Sequence, residues 1–323
     1  MVLGSEKQFI RTLFNHAHAT KAMQNPTLIC FGEVLWDILP TGKIAGGAPM
    51  NVAYHANNLG FSTKMISRIG NDPLGHALLH FLDEKGVSTQ FVQTDQELPT
   101  GIVNVTLSPS GSPAYEIVNP SAWDNIQSDE LMCDTVKETD VFVFGSLACR
   151  CAQTRNTLFN LLEGAMLRVL DANLRRPFYS KELLDVLLSK ADIAKMNDEE
   201  LEIIADWKGV TGTEEEQMRA IKEFYQLELL ILTKGDKGAS CLDDADYCTH
   251  AGFSIPVADT IGSGDAFLAA FLKKLLSGDS TQECLNFACA IGALAATKQG
   301  GTPTITPEEI HFFMLSKNAS NEK

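Results

Sequence analysis

The residues best suited to chemistry lie in the segment Asp259-Thr260-Ile261-Gly262-Ser263-Gly264-Asp265. It follows a β-like run, Phe253–Val257, and opens a helical pattern that continues to Leu276. Two glycines at a helix start let consecutive backbone N–H groups point at an anion. A carboxylate beside a bound phosphate is unfavourable unless it takes the proton of an attacking hydroxyl. The segment therefore indicates phosphoryl transfer with Asp265 as general base; the alternative is an acidic residue favoured by the helix dipole.

A second group of residues suits sugar binding. It comprises Gly32-Glu33-Val34-Leu35-Trp36-Asp37 and Gly46-Gly47-Ala48-Pro49-Met50-Asn51. Asp37 can accept hydrogen bonds from two hydroxyls, the adjacent glycines allow close backbone approach, and Asn51 offers both a donor and an acceptor. The pattern indicates polyol recognition. The alternative is a strand-end aspartate and a glycine turn, with Pro49 at the first helical position.

Three further segments follow predicted strands and carry weaker signals. Asn197 and Glu200 have the spacing of a helix capping box, or they lie near a hydrated magnesium ion, which prefers oxygen ligands. The segment Thr233–Gly238 is either a hairpin turn or a loop that contacts a nucleotide. The segment Asp171–Arg175 brings a fixed cation to the same edge of the sheet, where Arg175 is a candidate contact for a phosphate or a sugar.

The elements that would position these segments alternate between strand and helix. Ligands of open parallel sheets bind at the carboxyl ends of strands, which is where the segments lie. The alternation predicts an α/β fold with a mostly parallel sheet and helices on both faces. The predicted strands are Thr27–Phe31, Lys64–Ile69, Val141–Phe144, Arg168–Asp171, Ile193–Met196 and Leu229–Leu232. The predicted helices are Asn51–Leu59, Leu74–Lys85, Gln153–Gly164, Lys181–Ser189, Asp198–Trp207, Glu214–Tyr225, Asp265–Leu276 and Thr281–Thr297.

One region lacks a helical pattern and predicts a small antiparallel sheet outside the main layers. It comprises about residues 34–45 and 88–119, including the turn Ser108–Pro113. We expect this sheet to form a lid on a single domain that spans residues 27–318. Residues 1–26 lack the continuous apolar region of a signal peptide, and we expect them to form a disordered extension.

Composition restricts the function classes. The 323 residues include 26 Lys and Arg against 41 Asp and Glu, a formal net charge of −15, which opposes nucleic acid binding. No apolar run approaches the roughly 18 residues of a membrane helix. The eight cysteines form no Cys-x-x-Cys pair and are typical of a reducing compartment, so we expect a cytoplasmic protein without membrane or nucleic acid partners. The third glycine of a dinucleotide fingerprint is missing, which disfavours an oxidoreductase.

The five segments, taken together and in this order, resemble the ribokinase-like carbohydrate kinases of the PfkB family, and Gly32–Asp37 with Gly46–Asn51 is most similar to bacterial fructokinases. The resemblance runs from about Thr27 to Pro307. Its D-T-x-G-x-G-D signature is highly specific when G-G-x-x-x-N lies upstream. The matches to the fructokinase branch are Gly32–Asp37, Asp171–Arg175, and Tyr115–Ile117 leading to Ala122–Asp124. The resemblance implies a three-layer α/β/α sandwich, with a mostly parallel central sheet and a β-sheet lid.

The resemblance also implies ATP-dependent transfer of the γ-phosphoryl group to a sugar hydroxyl, with Asp265 as the base. The implied anion hole consists of the N–H groups of Gly262, Ser263 and Gly264. The residues implied to bind the sugar or the transferred phosphate are Asp37, Gly46, Gly47, Asn51 and Arg175. The residues implied around ATP are Asn197, Glu200, Thr233, Lys234, Gly235, Gly238, Gly262 and Cys289.

Two cations are implied in the same way. Asn197 and Glu200 would hold Mg2+ through water. The implied ligands of a monovalent cation, K+, are Asp259, the carbonyl of Ile261 and Gly301. Two positions depart from the family pattern: Ser263 replaces the usual alanine, and Cys289 stands where an asparagine often lies near the adenine. The first change leaves the backbone N–H in place, whereas the second makes the nucleobase preference less defined.

The acceptor is less defined than the reaction. The matches favour fructose, while ribose, another hexose or keto sugar, and a nucleoside such as adenosine are alternatives. A further alternative is a catalytically silent protein that binds a sugar or a nucleotide on the same fold, which the presence of Asp265 disfavours. The exposed strand edge of the lid predicts a homodimer.

Overall fold

A computed structural model describes residues 25–107 and 113–321. Residues 1–24 of the predicted extension and residues 108–112 of the predicted turn lie outside this description. The strands are β1 (Thr27–Phe31), β2 (Leu35–Leu39), β3 (Gly42–Gly46), β4 (Ser62–Gly70), β5 (Ser88–Asp95), β6 (Gly101–Leu107), β7 (Pro113–Ile117), β8 (Val141–Gly145), β9 (Arg168–Asp171), β10 (Ile193–Asn197), β11 (Leu229–Thr233), β12 (Ala239–Leu242) and β13 (Tyr247–His250). The α-helices are α1 (Ala48–Asn58), α2 (Pro73–Glu84), α3 (Glu130–Lys137), α4 (Ala152–Leu162), α5 (Lys181–Lys190), α6 (Asp198–Lys208), α7 (Glu214–Tyr225), α8 (Ser263–Leu276), α9 (Thr281–Ala296) and α10 (Pro307–Asn321).

Within the described residues the main sheet has nine strands, in the order β13-β12-β11-β10-β9-β8-β1-β4-β5. Seven of these strands are parallel to one another and lie in the spatial order β5, β4, β1, β8, β9, β10 and β11. The strands β12 and β13 add an antiparallel hairpin at the β11 edge. The parallel strands carry their carboxyl ends to one edge of the sheet. The segments singled out in the sequence follow β1, β9, β10 and β11, so their placement at this edge is as expected.

Alternating side chains of the central strands enter two separate cores. In β1, Leu28 and Cys30 pack with α1, α2, α8 and α9, whereas Ile29 and Phe31 pack with α3 to α7. This alternation follows from the two-residue period of a strand whose two faces are both covered. The molecule is therefore a three-layer α/β/α sandwich, as the sequence predicts.

Two helices begin in an unusual way. Helices α1 and α8 start at Gly47 and Gly262, whose φ angles are 117° and 74°, and neither start has a side-chain cap. By contrast, α2, α3, α5, α6, α7 and α9 begin with a side chain that accepts a hydrogen bond from the first turn. Because neither cap residue has a side chain, a ligand can approach both helix starts closely, although the Ser263 N–H donates to the Thr260 carbonyl at 3.3 Å and the Ala48 N–H to Glu33.

The small sheet has four strands in the order β3-β2-β6-β7. Its outer pairs are antiparallel, but β2 and β6 at its centre are parallel. Residues 88–95, which the sequence analysis assigns to this sheet, pair instead with β4 as the edge strand β5 of the main sheet. That assignment was wrong because it rested on the lack of a helical pattern in residues 88–119, which does not distinguish an edge strand of the main sheet from a lid strand.

Other elements differ from the sequence prediction in detail. The segment Phe253–Val257 is not a strand but an irregular connection to α8. Helices α3 and α10 and the β12–β13 hairpin were not predicted. In the part of the chain that the structure describes, no helix has both the length and the apolarity needed to span a membrane.

Candidate active site

A cleft of about 520 Å³ lies between the carboxyl edge of the main sheet and the small sheet. The small sheet contributes Leu35, Val103, Tyr115 and Ile117 to its lining. The residues predicted from the sequence that line it are Asp37, Gly47, Asn51, Arg175, Asn197, Glu200, Thr233, Ile261, Gly262, Gly264 and Asp265. The small sheet is thus positioned as the sequence analysis expects of a lid.

The remaining predicted site residues lie beside this cleft or away from it. Those outside its lining are Gly46, Ser263, Lys234, Gly235, Gly238, Asp259, Cys289 and Gly301. The Lys234 ammonium forms an ion pair with Glu214 at 2.9 Å, and Cys289 is buried in α9 within the core. Gly46 and Gly301 are nevertheless close to the site, because a Cβ atom on either would contact Asp37 or Asn51 respectively.

Asp265 lies in the first turn of α8 and is 9% exposed. Its Oδ2 accepts a hydrogen bond of 2.8 Å from Nδ2 of Asn51, a residue 214 positions earlier in the chain. Burial, followed by the charge of Asp171, raises the pKa of Asp265 to about 6, while Lys195, the Asn51 hydrogen bond and Arg175 act in the opposite direction. A carboxyl with a pKa raised in this way can accept a proton from a substrate hydroxyl near neutral pH.

The glycine turn before α8 is braced by Asp259. Its Oδ1 accepts a hydrogen bond from the Ile261 N–H at 3.0 Å, and its Oδ2 accepts one from the Gly300 N–H at 2.9 Å. A Cβ atom on Gly262 would collide with the backbone of Gly301. The turn therefore packs directly against the loop at Gly300 and Gly301.

Asp37 lies in the middle of β2, and its partly buried side chain lines the cleft. Burial raises its pKa to about 6; Arg175 lowers this pKa, and Asp259 raises it. Gly46 leaves space for the carboxylate, because a Cβ atom there would lie 2.6 Å from Oδ2 of Asp37. Arg175 is exposed and also lowers the pKa of the buried Glu33, so one exposed cation faces several acids across the cleft.

Asn197 and Glu200 form the capping box expected from their spacing. Oδ1 of Asn197 accepts from the Glu200 N–H at 2.8 Å, and Oε2 of Glu200 accepts from the Asn197 N–H at 2.9 Å. The other oxygen of Glu200 accepts from the Leu174 N–H at 2.7 Å. Burial and the nearby Asp171 raise the pKa of Glu200. The box therefore fixes the start of α6 and also the loop that carries Arg175.

Lys195 and Asp171 are residues of the site whose pairing the sequence analysis missed. Lys195 Nζ lies 2.8 Å from Oδ2 of Asp171, and both side chains line the cleft. They are partners in the register of the parallel strands β10 and β9. A lysine inside a strand that is otherwise apolar was the available signal, since a buried lysine requires a paired anion.

Comparison with known proteins identifies the family. Residues 25–308 match the description "pfkB family carbohydrate kinase". The chain belongs to this family. The PfkB chain is 30% identical over 314 residues to fructokinase-2 of Solanum lycopersicum, with 88% of this chain and 94% of the relative covered. It is thus a carbohydrate kinase, as the sequence motifs predict.

Solved structures of PfkB-like proteins share the fold. The fructokinase of Vibrio cholerae O395, in a form with bound fructose, ADP and calcium ion, superposes with a TM-score of 0.78 at 25% identity, over 90% of this chain and 99% of that one. An uncharacterized sugar kinase of Pyrococcus horikoshii superposes with a TM-score of 0.77 at 26% identity, over 88% and 97% of the two chains. These similarities confirm the ribokinase-like fold that the sequence predicts.

Proposed function

We propose that the protein transfers the γ-phosphoryl group of ATP to a hydroxyl of fructose. The observation that carries this proposal is the buried carboxyl group of Asp265 in the first turn of α8, inside a cleft that also contains Asp37 and Asn51. The similarity to fructokinases of Solanum lycopersicum and Vibrio cholerae supports fructose as the acceptor and ATP as the donor.

In the proposed reaction the sugar hydroxyl gives its proton to Asp265 as its oxygen attacks the γ-phosphorus. A bond forms between these two atoms, and the bond from the γ-phosphorus to the bridging oxygen breaks, so that ADP leaves with the electron pair. The N–H groups of Gly262, Ser263 and Gly264 stabilise the charge on the transferred group, aided by the positive end of α8. Asp265 then releases its proton to solvent.

The sugar would bind beneath the small sheet. Asp37 accepts hydrogen bonds from its hydroxyls, Gly46 and Gly47 let it approach the backbone, and Asn51 both contacts it and orients Asp265. Arg175, at the cleft entrance, would approach the sugar or the transferred phosphate. A neutral sugar suits this end of the cleft, because each acidic side chain here would repel the phosphate group of a sugar phosphate.

The charge of the cleft fits a divalent cation as partner of the nucleotide. Its acidic lining residues are Glu33, Asp37, Asp171, Glu200 and Asp265, and its basic ones are Arg175 and Lys195. A triphosphate needs a neutralising ion in such surroundings. Among the described residues, no cluster of three or more His, Cys, Asp or Glu side chains could hold a metal directly. Asn197 and Glu200 would therefore hold Mg2+ through water, where it would neutralise phosphate charge.

The nucleotide would extend along the carboxyl end of β11. Its proposed neighbours are Thr233, Lys234, Gly235, Gly238 and Cys289. The proposed ligands of a monovalent cation, K+, are Asp259, the Ile261 carbonyl and Gly301. They lie where the braced glycine turn meets the loop at Gly300. A cation there would stabilise the turn that forms the anion hole.

The first test is the choice of acceptor. ADP release with ATP, magnesium and potassium would be measured against fructose, ribose, glucose, mannose, adenosine and fructose 6-phosphate. We expect strong turnover with fructose and weak turnover with the others. Strong turnover with another acceptor would retain the phosphoryl transfer but remove fructose from the proposal. ADP release with none of them would favour a silent binding protein.

Substitution of Asp37 by alanine tests the sugar site. We expect Asp37→Ala to raise the KM for the sugar by about tenfold or more with little change in the KM for ATP, because charged hydrogen bonds contribute about 1.5–3 kcal/mol. Asp236→Ala, on the exposed turn after β11, is the matched control and should leave the sugar KM unchanged. An unaltered sugar KM in the Asp37 variant would refute the assignment.

The proposed assembly is a homodimer formed through the small sheet. Its edge strands β3 and β7 are unpaired on their outer sides within the described residues, and Tyr115 on β7 is 58% exposed. Light scattering of the purified chain measures its oligomeric state directly.

The proposed location is the cytoplasm, which suits eight cysteines that are all free thiols.

A further inference from the structure

A buried ion pair lies directly beneath the catalytic end of α8. Lys195 and Asp171 are 7% and 4% exposed, and their charged atoms are 2.8 Å apart. Burying two charges costs several kcal/mol per ion, which their attraction only partly offsets, so a pair of this kind adds little net stability. An apolar pair would fill the same space between β9 and β10. The presence of charges at this position therefore needs a reason other than stability.

The ammonium of Lys195 approaches the glycine turn from the sheet side. A Cβ atom on Gly264 would lie 3.4 Å from Nζ and 3.8 Å from Cε of this lysine. Gly264 is the residue immediately before Asp265 in α8. The positive charge is thus placed against the turn that holds the base, although its direct hydrogen bond goes to Asp171.

Groups on several elements determine the charge state of Asp265. The charged or titratable groups that influence it or are influenced by it are Asp171, Lys195, Arg175, Glu33 and Cys30. Glu200 on α6 acts on Lys195 in turn. Burial and Asp171 raise the pKa of Asp265, whereas Lys195 and Arg175 lower it. Arg175 is exposed and screened by solvent, so Lys195 is the buried cation in this set.

We infer that Lys195 and Asp171 are positioning residues that together set the basicity of Asp265, with Lys195 keeping it ionised and Asp171 keeping Lys195 from binding it directly. This inference rests on the proposed function. A lysine bound directly to Asp265 would make it a weak base, because a carboxylate stabilised by an ion pair accepts protons poorly. Without a cation, burial and the charge of Asp171 would favour the protonated form of Asp265. The intermediate arrangement keeps the pKa of Asp265 close to the working pH, where general base catalysis is most effective.

The test is the pH dependence of kcat/KM for fructose at saturating ATP and magnesium, in the full-length enzyme. Lys195→Met should move the acid limb to higher pH by about one unit or more, since opposite charges typically shift a carboxyl by 1–3 units. The rate below that limb would then fall by about tenfold or more and recover as pH rises. Asp171→Asn should move the limb to lower pH and lower the plateau.

The double variant, Lys195→Met with Asp171→Asn, gives the sharpest result. It removes the cation and the repelling anion together, so its acid limb should return close to that of the wild type. Lys195→Arg keeps the positive charge, so its acid limb should lie close to the pH of the wild-type limb. If Lys195→Met does not fold, Asp171→Asn and the double variant still provide the comparison, because neither leaves an unpaired buried carboxylate at position 171.

The matched control is the ion pair at the opposite ends of the same two strands. Arg168 and Asp192 join β9 and β10 at their amino edge, with Nη2 and Oδ1 2.6 Å apart. Arg168→Met should lower the unfolding temperature without moving the acid limb. Equal loss of activity at all pH values in Lys195→Met, or an unmoved limb in Asp171→Asn, would overturn the inference. Wild-type turnover in Asp265→Asn would instead refute the proposed base itself.

Discussion

Replacing Asp265 by asparagine is expected to lower kcat by about two to four orders of magnitude, the range associated with loss of a positioned general base. The asparagine can still accept the hydrogen bond from Asn51, so the pocket should keep its shape. Sugar and ATP should therefore bind with nearly unchanged affinity. ADP release gives kcat, and calorimetric titration with fructose and with a non-hydrolysable ATP analogue gives the affinities.

The control for this variant lies at the other end of the same helix. Asp279 forms an ion pair with Lys274 near the carboxyl end of α8, and Asp279→Asn should turn over at the wild-type rate. Comparable turnover in both variants would mean that Asp265 does not act as the base. A fall in affinity as large as the fall in kcat would indicate damage to the pocket rather than loss of a proton acceptor.

The same substitution separates activity from stability. Because burial raises the pKa of Asp265 to about 6, ionising it in the folded protein costs free energy. The favourable contribution of the protonated group is present at low pH and is lost as pH rises through about 6. At higher pH, ionisation of Asp265 lowers the free energy of unfolding by roughly 3 kcal/mol, because folding raises its pKa by about two. Asp265→Asn should therefore unfold at a higher temperature than the wild type near pH 8, and the difference should vanish near pH 4.

Local sequence patterns predicted the layers and most of the site. The strands at Val141 and Leu229 are short, continuous apolar runs, which only a sheet covered on both faces accommodates. Asp265 and Asn51 could each be assigned to the start of a helix beside a glycine turn. The contact between them is a tertiary feature that spacing alone does not give, because the two turns meet only after α1 and α8 pack side by side.

The position of β5 and the pairing of Lys195 could not be predicted from local sequence patterns. The strand β5 and the lid strands both lie in a region without a helical pattern, and pairing with β4 is what distinguishes β5. Lys195 becomes interpretable only when strand register places it opposite Asp171. Register between parallel strands depends on the packing of the whole sheet, so two residues 24 positions apart cannot be paired from the sequence alone.

The second large effect is expected at Gly262, where alanine should lower kcat by about 10²–10³, the range for losing an oxyanion-hole donor. Gly262 has a φ of 74°, and a Cβ atom there would lie 2.6 Å from Cα of Gly301. The loop at Gly301 cannot retreat freely, because Gly300 is bound to Asp259 and the Gly301 carbonyl lies 3.0 Å from Nε2 of His55. The glycine turn must therefore move, which misdirects the N–H groups that would contact the transferred phosphoryl group.

Gly209→Ala separates this collision from ordinary backbone strain. Gly209 ends α6 with a φ of 67°, and a Cβ atom there would have no neighbour within 4 Å. Both substitutions place alanine in the left-handed region, which costs about 1–2 kcal/mol. The two variants should therefore lose stability through the same strain, but only Gly262→Ala should lose turnover, as measured by ADP release beside thermal unfolding. Equal kcat values would mean that the turn before α8 does not hold the transferred phosphoryl group, even if Asp265 still accepts the proton.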